Sequence, residues 1–258
     1  MSPAGVLPLL PASLGPGARG AFTTRAGGVS TGPFGAAGGA GGLDLAVHVG
    51  DDPHRVARNR ERLAASLGVA VSWMDQVHGT DVAVVETPGG ADLGRCDGAV
   101  AVRHDRALAV GVLVADCVPV LLAARSGDVV AAVHVGRRGL VAGVLEATLT
   151  AVAARGVDTA DLFAAVGPAV CGRCYEVPAP MREEVADVVP GTASTTSWGT
   201  PALDVPAGVR GRLVAAGVRA VDHVDACTLE DERFYSYRRA GRDGTTVTGR
   251  FAGVVRTR

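Results

Sequence analysis

Apolar and polar positions change period along the chain, and the changes mark its elements. Asp52 and Pro53 offer an N-cap and a first helical residue. Val56, Leu63 and Leu67 then recur at helical spacing until Gly68 stops them, which predicts a helix over 53–67. The middle of the chain reads differently. Residues 81–87, 98–103, 107–115, 118–124 and 128–135 are short, valine-heavy runs broken by turn residues, as expected of successive strands. Leu140, Val141, Val144, Leu145 and Val152 restore a helical face over 140–155, closed by Gly156. The last third alternates: strand 161–166, helix 180–189, polar loop 191–200, helix 206–216, strand 218–225 and a final strand 251–255. Before the first helix, residues 1–19 read as a loose lead-in and 21–24 as the opening of a strand. Residues 26–42 are rich in glycine and alanine and read as a flexible surface loop. With no internal repeat and no linker, 1–258 is expected to be one layered α/β (α+β) domain, its mixed central sheet mostly consecutive in strand order and flanked by helices.

Composition narrows the function classes. Hydrophobic residues make up 48% of 258, enough for a substantial core, yet no run of 18 apolar residues could span a bilayer. The apolar patch near the N-terminus lacks a basic flank and is interrupted by prolines, so no secretory signal is expected. Basic and acidic residues number 25 and 26, leaving no global field to draw nucleic acid or an anionic membrane. The chain has no lysine and no isoleucine, the signature of a GC-rich genome, so arginine at any one position says little about anion binding. Five cysteines, an odd number, point to reduced thiols and a cytoplasmic setting. One pair, Cys171-Gly-Arg-Cys174, has CxxC spacing without a thioredoxin-like βαβ context and reads as structural or incidental.

Two of the six histidines sit beside glycine at element ends, in Gln76-Val-His78-Gly79 and in His134-Val-Gly136. Between them an apolar strand stops at Ala115-Asp116-Cys117. Two imidazoles and a thiolate suit zinc, and three protein ligands leave a fourth position open. Spacing alone leaves the alternative standing: a histidine at a strand end is often only hydrogen-bonded, and a cysteine after an apolar strand is often core.

A longer series of motifs bears on the choice. In order, the chain carries Thr24-Arg25-Ala-Gly-Gly-Val-Ser30, Val49-Gly-Asp-Asp52, Asn59-Arg60, the QVHG of 76–79, the ADCVP of 115–119, His134-Val-Gly-Arg-Arg138-Gly139, Gly167-Pro168, Tyr175-Glu-Val177, Cys227-Thr228, and Phe234-Tyr-Ser-Tyr-Arg238 with Gly249-Arg250. Together they resemble the laccase-domain, or polyphenol oxidase, family from about residue 22 to 255. The resemblance implies that His78, Cys117 and His134 bind a metal, usually Zn2+ with Cu2+ as an alternative. It implies a layered α/β fold related to Cys–His deamidating toxins. It further implies phosphorolysis of adenosine, inosine, guanosine and methylthioadenosine, together with adenosine deamination, so that the expected partners are a small-molecule nucleoside and phosphate.

Arginines inside the motifs, Arg25, Arg60 and Arg138, are the expected phosphate ligands, because guanidinium binds oxyanions bidentately. Asp116 is expected either to orient the site or carry a proton, or simply to cap a turn. Gln76 is a candidate for hydrogen-bonding substrate. Three departures stand out: Arg137 replaces a customary tryptophan, Val135 an alanine and Asp44 an asparagine. Copper oxidation of phenols, suggested by the older family name, needs more histidines than six without an HxH pair can supply. Two further readings remain, a metal-free amidohydrolase with Cys117 as nucleophile and His134 as base, and a non-enzymatic binding domain.

Overall fold

Valine-rich strands buried on both faces organise the molecule, whose computed structural model describes residues 7–39 and 41–258. One six-stranded sheet runs β1 (Leu9–Ala12), β2 (Arg19–Thr23), β15 (Phe251–Arg256), β8 (Ala109–Val114), β4 (Val71–Asp75), β6 (Asp92–Arg95). The other runs β14 (Ala220–His223), β11 (Leu162–Val166), β9 (Val118–Ala124), β10 (Val129–Val135), β7 (Gly98–Val102), β5 (Val82–Val85). Both are mixed: β4 lies parallel to β6 and β8, β5 to β7, and β11 to β14, the remaining pairs being antiparallel.

The period-2 geometry of a strand explains the layering. On β8, Val110, Val112 and Val114 face the second sheet, where they meet Leu121, Ala123, Val130 and Ala132. Ala109 and Leu113 face the opposite way, with Trp73, Ala252 and Val254, onto α1 (Pro53–Leu67) through Leu63. The second sheet likewise turns Val118, Val120, Leu122, Val133 and Val135 outward onto α2 (Arg137–Ala142), α3 (Val144–Ala153), α4 (Ala179–Val188) and α5 (Val205–Ala215). The order is helix, sheet, sheet, helices. Remaining elements are β3 (Ala26–Ser30), the hairpin β12 (Ala193–Thr195) with β13 (Pro201–Leu203), and α6 (Tyr237–Arg242).

The layered, mixed α/β expectation holds; consecutive strand order does not. The first sheet draws strands from both ends and the middle of the chain, because β15 inserts between β2 and β8. α1 has its expected caps: the Asp52 side chain accepts from His54 N–H, and Gly68 takes a left-handed conformation at φ 71°. The helix expected over 140–155 is two, broken where Gly143 adopts φ 94° and donates back to the Gly139 and Leu140 carbonyls. The lead-in is not uniformly loose, since residues 9–12 pair with β2; residues 1–6 of it lie outside the described residues. Nor is the glycine-rich stretch merely a surface loop. Phe34 and Ser30 are buried, and Asn59 of α1 accepts from Val29 N–H and donates to Ser30 Oγ and to the carbonyls of Gly42 and Asp44.

Candidate metal centre and its pocket

Three times in succession the chain leaves the first sheet and enters the second at one end of the sandwich: from β4 to β5, from β6 to β7 and from β8 to β9. The crossings carry His78, Asp97 and Cys117, and β10 delivers His134 to the same end. This is how positions far apart in sequence meet. One ligand atom from each of His78, Cys117 and His134 falls within 4.8 Å of the others, with His78 Nε2 3.6 Å from Cys117 Sγ.

Backbone conformation follows from the tightness of these crossings. His78 (φ 62°) and Asp116 (φ 93°) are the two non-glycine residues with positive φ among the described residues, and both adjoin or belong to the cluster. Gly136 is required for room, because a Cβ there would lie 2.5 Å from His78 Cδ2 and 3.2 Å from Cys117 Sγ.

Asp97, which the motifs did not single out, organises the centre. Its carboxylate is fully buried, accepts the backbone N–H groups of Val77 (3.1 Å), His78 (2.9 Å) and Gly79 (2.7 Å), and lies 2.7 Å from His134 Nδ1. Burial pushes its pKa up, but the bonds from His134, Gly79 and Val77 more than offset this and hold it below the ordinary value. The bond to Nδ1 fixes the ring and directs Nε2 toward Cys117, the arrangement that orients metal-binding histidines. Burial alone would also raise the Cys117 thiol. The charge and hydrogen bonds of His134 and His78 overcome it and bring the thiol down to about 6. Conversely, burial lowers His134 while Cys117 and Asp97 raise it, to about 9. A site that stabilises thiolate and binds one imidazole by its far nitrogen fits a divalent cation of zinc type.

The cluster forms one wall of a cavity of about 400 Å³. Leu113, Val114, Val170 and Val205 supply apolar lining, and Arg137, Arg238 and Arg250 supply positive charge. Arg238 stacks over the Tyr175 ring at 4.2 Å. Asp116 also lines the cavity; its carboxylate accepts Thr228 Oγ1–H and Arg238 N–H, each at 2.7 Å. It therefore ties the segments around 228 and 238 to the Cys117 turn.

The expected phosphate arginines are not brought to this cavity. Arg25 donates to the Gly35 carbonyl and stacks on Tyr235; Arg60 donates to the Leu45 carbonyl and stacks on Trp73; Arg138 is exposed on α2, its neighbour Arg137 being the one that lines the pocket. Gln76 is committed as well, its amide donating to the Leu113 carbonyl and accepting Leu113 N–H. Arg238 and Arg250 lay inside the quoted motifs, so the signal was present but carried no geometry.

Fold and centre together define a two-sheet α/β protein with a half-buried histidine–cysteine–histidine cluster on one wall of a basic pocket. The multi-copper polyphenol oxidoreductase laccase family model matches residues 19–258, and the chain belongs to that family. A Streptomyces griseus protein named purine nucleoside phosphorylase is 53% identical, the match covering 91% of this chain and 92% of that one. A Mycobacterium tuberculosis protein of the same name is 44% identical over 90% of this chain and 89% of its own. A Neisseria meningitidis crystal structure superposes with a TM-score of 0.81 at 32% identity, covering 96% of this chain and 98% of that one. YlmD of Geobacillus stearothermophilus gives 0.80 at 31% identity, with 93% and 92% covered. No helix among the described residues is long and apolar enough to cross a membrane.

Proposed function

We propose that this chain is a zinc-dependent purine nucleoside phosphorylase, with slower hydrolytic deamination of adenosine, and that His78, Cys117 and His134 hold the metal. The observation carrying the reading is the shared cavity: the His78–Cys117–His134 cluster and three arginines line one cavity of a volume suited to a nucleoside. The names of the relatives point the same way. A divalent cation held by these ligands would supply a Lewis acid.

The rest of the work falls to the chain. Arg238 and Arg137, with no side-chain hydrogen bond among the described residues, are the groups that bind phosphate. Arg238 is held in place by Tyr175. The guanidinium of Arg250 is partly engaged by the Thr248 and Gly249 carbonyls and adds positive potential behind them. Asp116 orients Arg238 through its backbone N–H, and the apolar side of the cavity receives the base.

Inosine or adenosine is expected to give free base and ribose 1-phosphate only when phosphate is present, with adenosine yielding some inosine without it. Arg238→Ala should raise KM for phosphate by roughly 10–100-fold, the cost of a lost charged hydrogen bond, while Arg25→Ala should leave that KM unchanged and lower stability. Chromatography of products from zinc-loaded enzyme decides the matter; no turnover of any nucleoside would overturn the reading. One observation favours a second. Asp97, His134 and the acidified Cys117 also have the order of an orienting carboxylate, base and nucleophile, as an amidohydrolase requires. Activity that survives complete chelation would select it.

A further inference from the structure

Beside the pocket, two turns lie against each other, joined by a parallel bridge between Ala169 and Cys227. In the first, Cys174 and Tyr175 N–H groups donate to the Cys171 carbonyl. In the second, Glu230 and Asp231 N–H groups donate to the Cys227 carbonyl. Each turn therefore begins with a cysteine and presents a second donor three residues on: Cys171-Gly-Arg-Cys174 and Cys227-Thr-Leu-Glu230. That is the spacing by which paired turns grip a tetrahedral ion, with glutamate in place of the fourth cysteine.

Side-chain placement agrees with the spacing. The three sulfurs and a Glu230 carboxylate oxygen all lie within 4.8 Å of one another. A tetrahedron with metal–sulfur bonds of about 2.3 Å has sulfur–sulfur edges of roughly 3.8 Å, so small side-chain rotations close the site. Cys174 is buried, Cys171 and Cys227 are half-buried and Glu230 is exposed, which leaves an open path for an ion. Ordinary core packing accounts for one buried cysteine among aliphatic groups. It does not account for three sulfurs meeting each other beside a carboxylate, in a cluster whose buried aliphatic members are only Val170 and Leu229.

We propose that Cys171, Cys174, Cys227 and Glu230 form a second metal site, structural and specific for a thiophilic divalent cation such as Zn2+. The site is closed, with four protein ligands, and takes no part in chemistry. Without an ion, burial and the neighbouring Cys227 push the Cys171 and Cys174 thiols up. On binding, each thiol gives its proton to solvent as its sulfur–metal bond forms, with no change of oxidation state. The ion would clamp together two segments that both build the pocket: Val170 and Tyr175 line it, and Val170 N–H and Thr228 Oγ1–H both bond to Asp116.

The test uses full-length Cys117→Ala protein, which lacks a ligand of the first centre, purified under reducing conditions and exposed to Zn2+. After removal of loose metal it is expected to keep about one Zn2+ per chain. Replacing that ion with Co2+ should give the strong near-ultraviolet absorption of thiolate-to-cobalt charge transfer. Adding Cys227→Ser should abolish both signals. Should that variant fail to fold, Glu230→Gln, altered at an exposed position, should weaken Zn2+ retention at least about tenfold, the loss expected of a disturbed metal site. Three results would overturn the proposal: no retained Zn2+ in Cys117→Ala, retained Zn2+ that survives Cys227→Ser, or a disulfide that removes two of these thiols from titration. None depends on nucleoside turnover, so the two proposals fail separately.

Discussion

Asp44 shows how much one buried group can shift the balance. It is fully buried at the end of the glycine-rich stretch, where Oδ1 accepts Ala46 and Arg250 N–H groups and Oδ2 has no partner among the described residues. Burial raises its pKa from 3.8 to about 6. Because the folded value exceeds the unfolded one, the folded chain keeps a proton that the unfolded chain has already released. Stability therefore falls as pH rises between those two values and stays lower above them. The full penalty is roughly 3 kcal/mol at most, from about 1.36 kcal/mol per pKa unit. Asp44→Asn, which restores the residue expected from the motif comparison and keeps an acceptor for both N–H groups, should match the wild type near pH ~4 and exceed it near pH ~8. Thermal melts across that range are the measurement, and parallel profiles for the two proteins would sink the idea.

At the scale of elements, α1 and the glycine-rich stretch behave as one unit through Asn59, whose four hydrogen bonds are all to residues 29–44. Asn59→Ala should cost roughly 2–4 kcal/mol, since it strands several buried partners. Hydrogen exchange should then speed up over 26–44 while β9 and β10 stay protected; uniform acceleration would mean that the coupling is global. Elements with a clean local signal were legible in the sequence. α1 carried caps at both ends and a single apolar stripe, β9 was an unbroken apolar run, and β10 was one interrupted only by His134. β4 was missed because Val71-Ser-Trp-Met-Asp75 is buried over four of its five residues and shows no alternation. The short, charged β6 and α6 were missed for the opposite reason, having almost no apolar pattern to read. Gly143 looked like an ordinary helical glycine, since only φ distinguishes a break from a tolerated residue.

For the molecule as a whole, the candidate ligands could be named from motifs, but their meeting could not. It depends on three crossings between sheets whose strand order no local pattern encodes. Asp97 illustrates the gap, an unremarkable aspartate in sequence whose role arises only where two crossings and β10 converge. Arg25, Arg60 and Arg138 likewise lie in motifs but not on the cavity, because a motif locates a residue along the chain and not toward a cavity. Integrity of the first sheet rests on β15, hydrogen-bonded to β2 on one side and β8 on the other. A chain ending at Arg250 should lose that sheet's centre, together with the burial of Phe251 and Val255, and fail to give a cooperative melt. A sharp, native-like transition for it would show that β2 and β8 can pair without their intermediary.

The central place of β15 also sets a schedule for synthesis. During translation, residues 9–23 and 109–114 leave the ribosome long before the strand that must lie between them, and each waits with an unpaired, apolar edge. Such edges invite pairing with other nascent chains or capture by holdase chaperones. Arg250, the residue just before β15, reaches the pocket only with that final strand. A stalled or prematurely released chain consequently lacks both its sheet and its complete pocket, so that unfinished copies are left inactive and open to proteolysis.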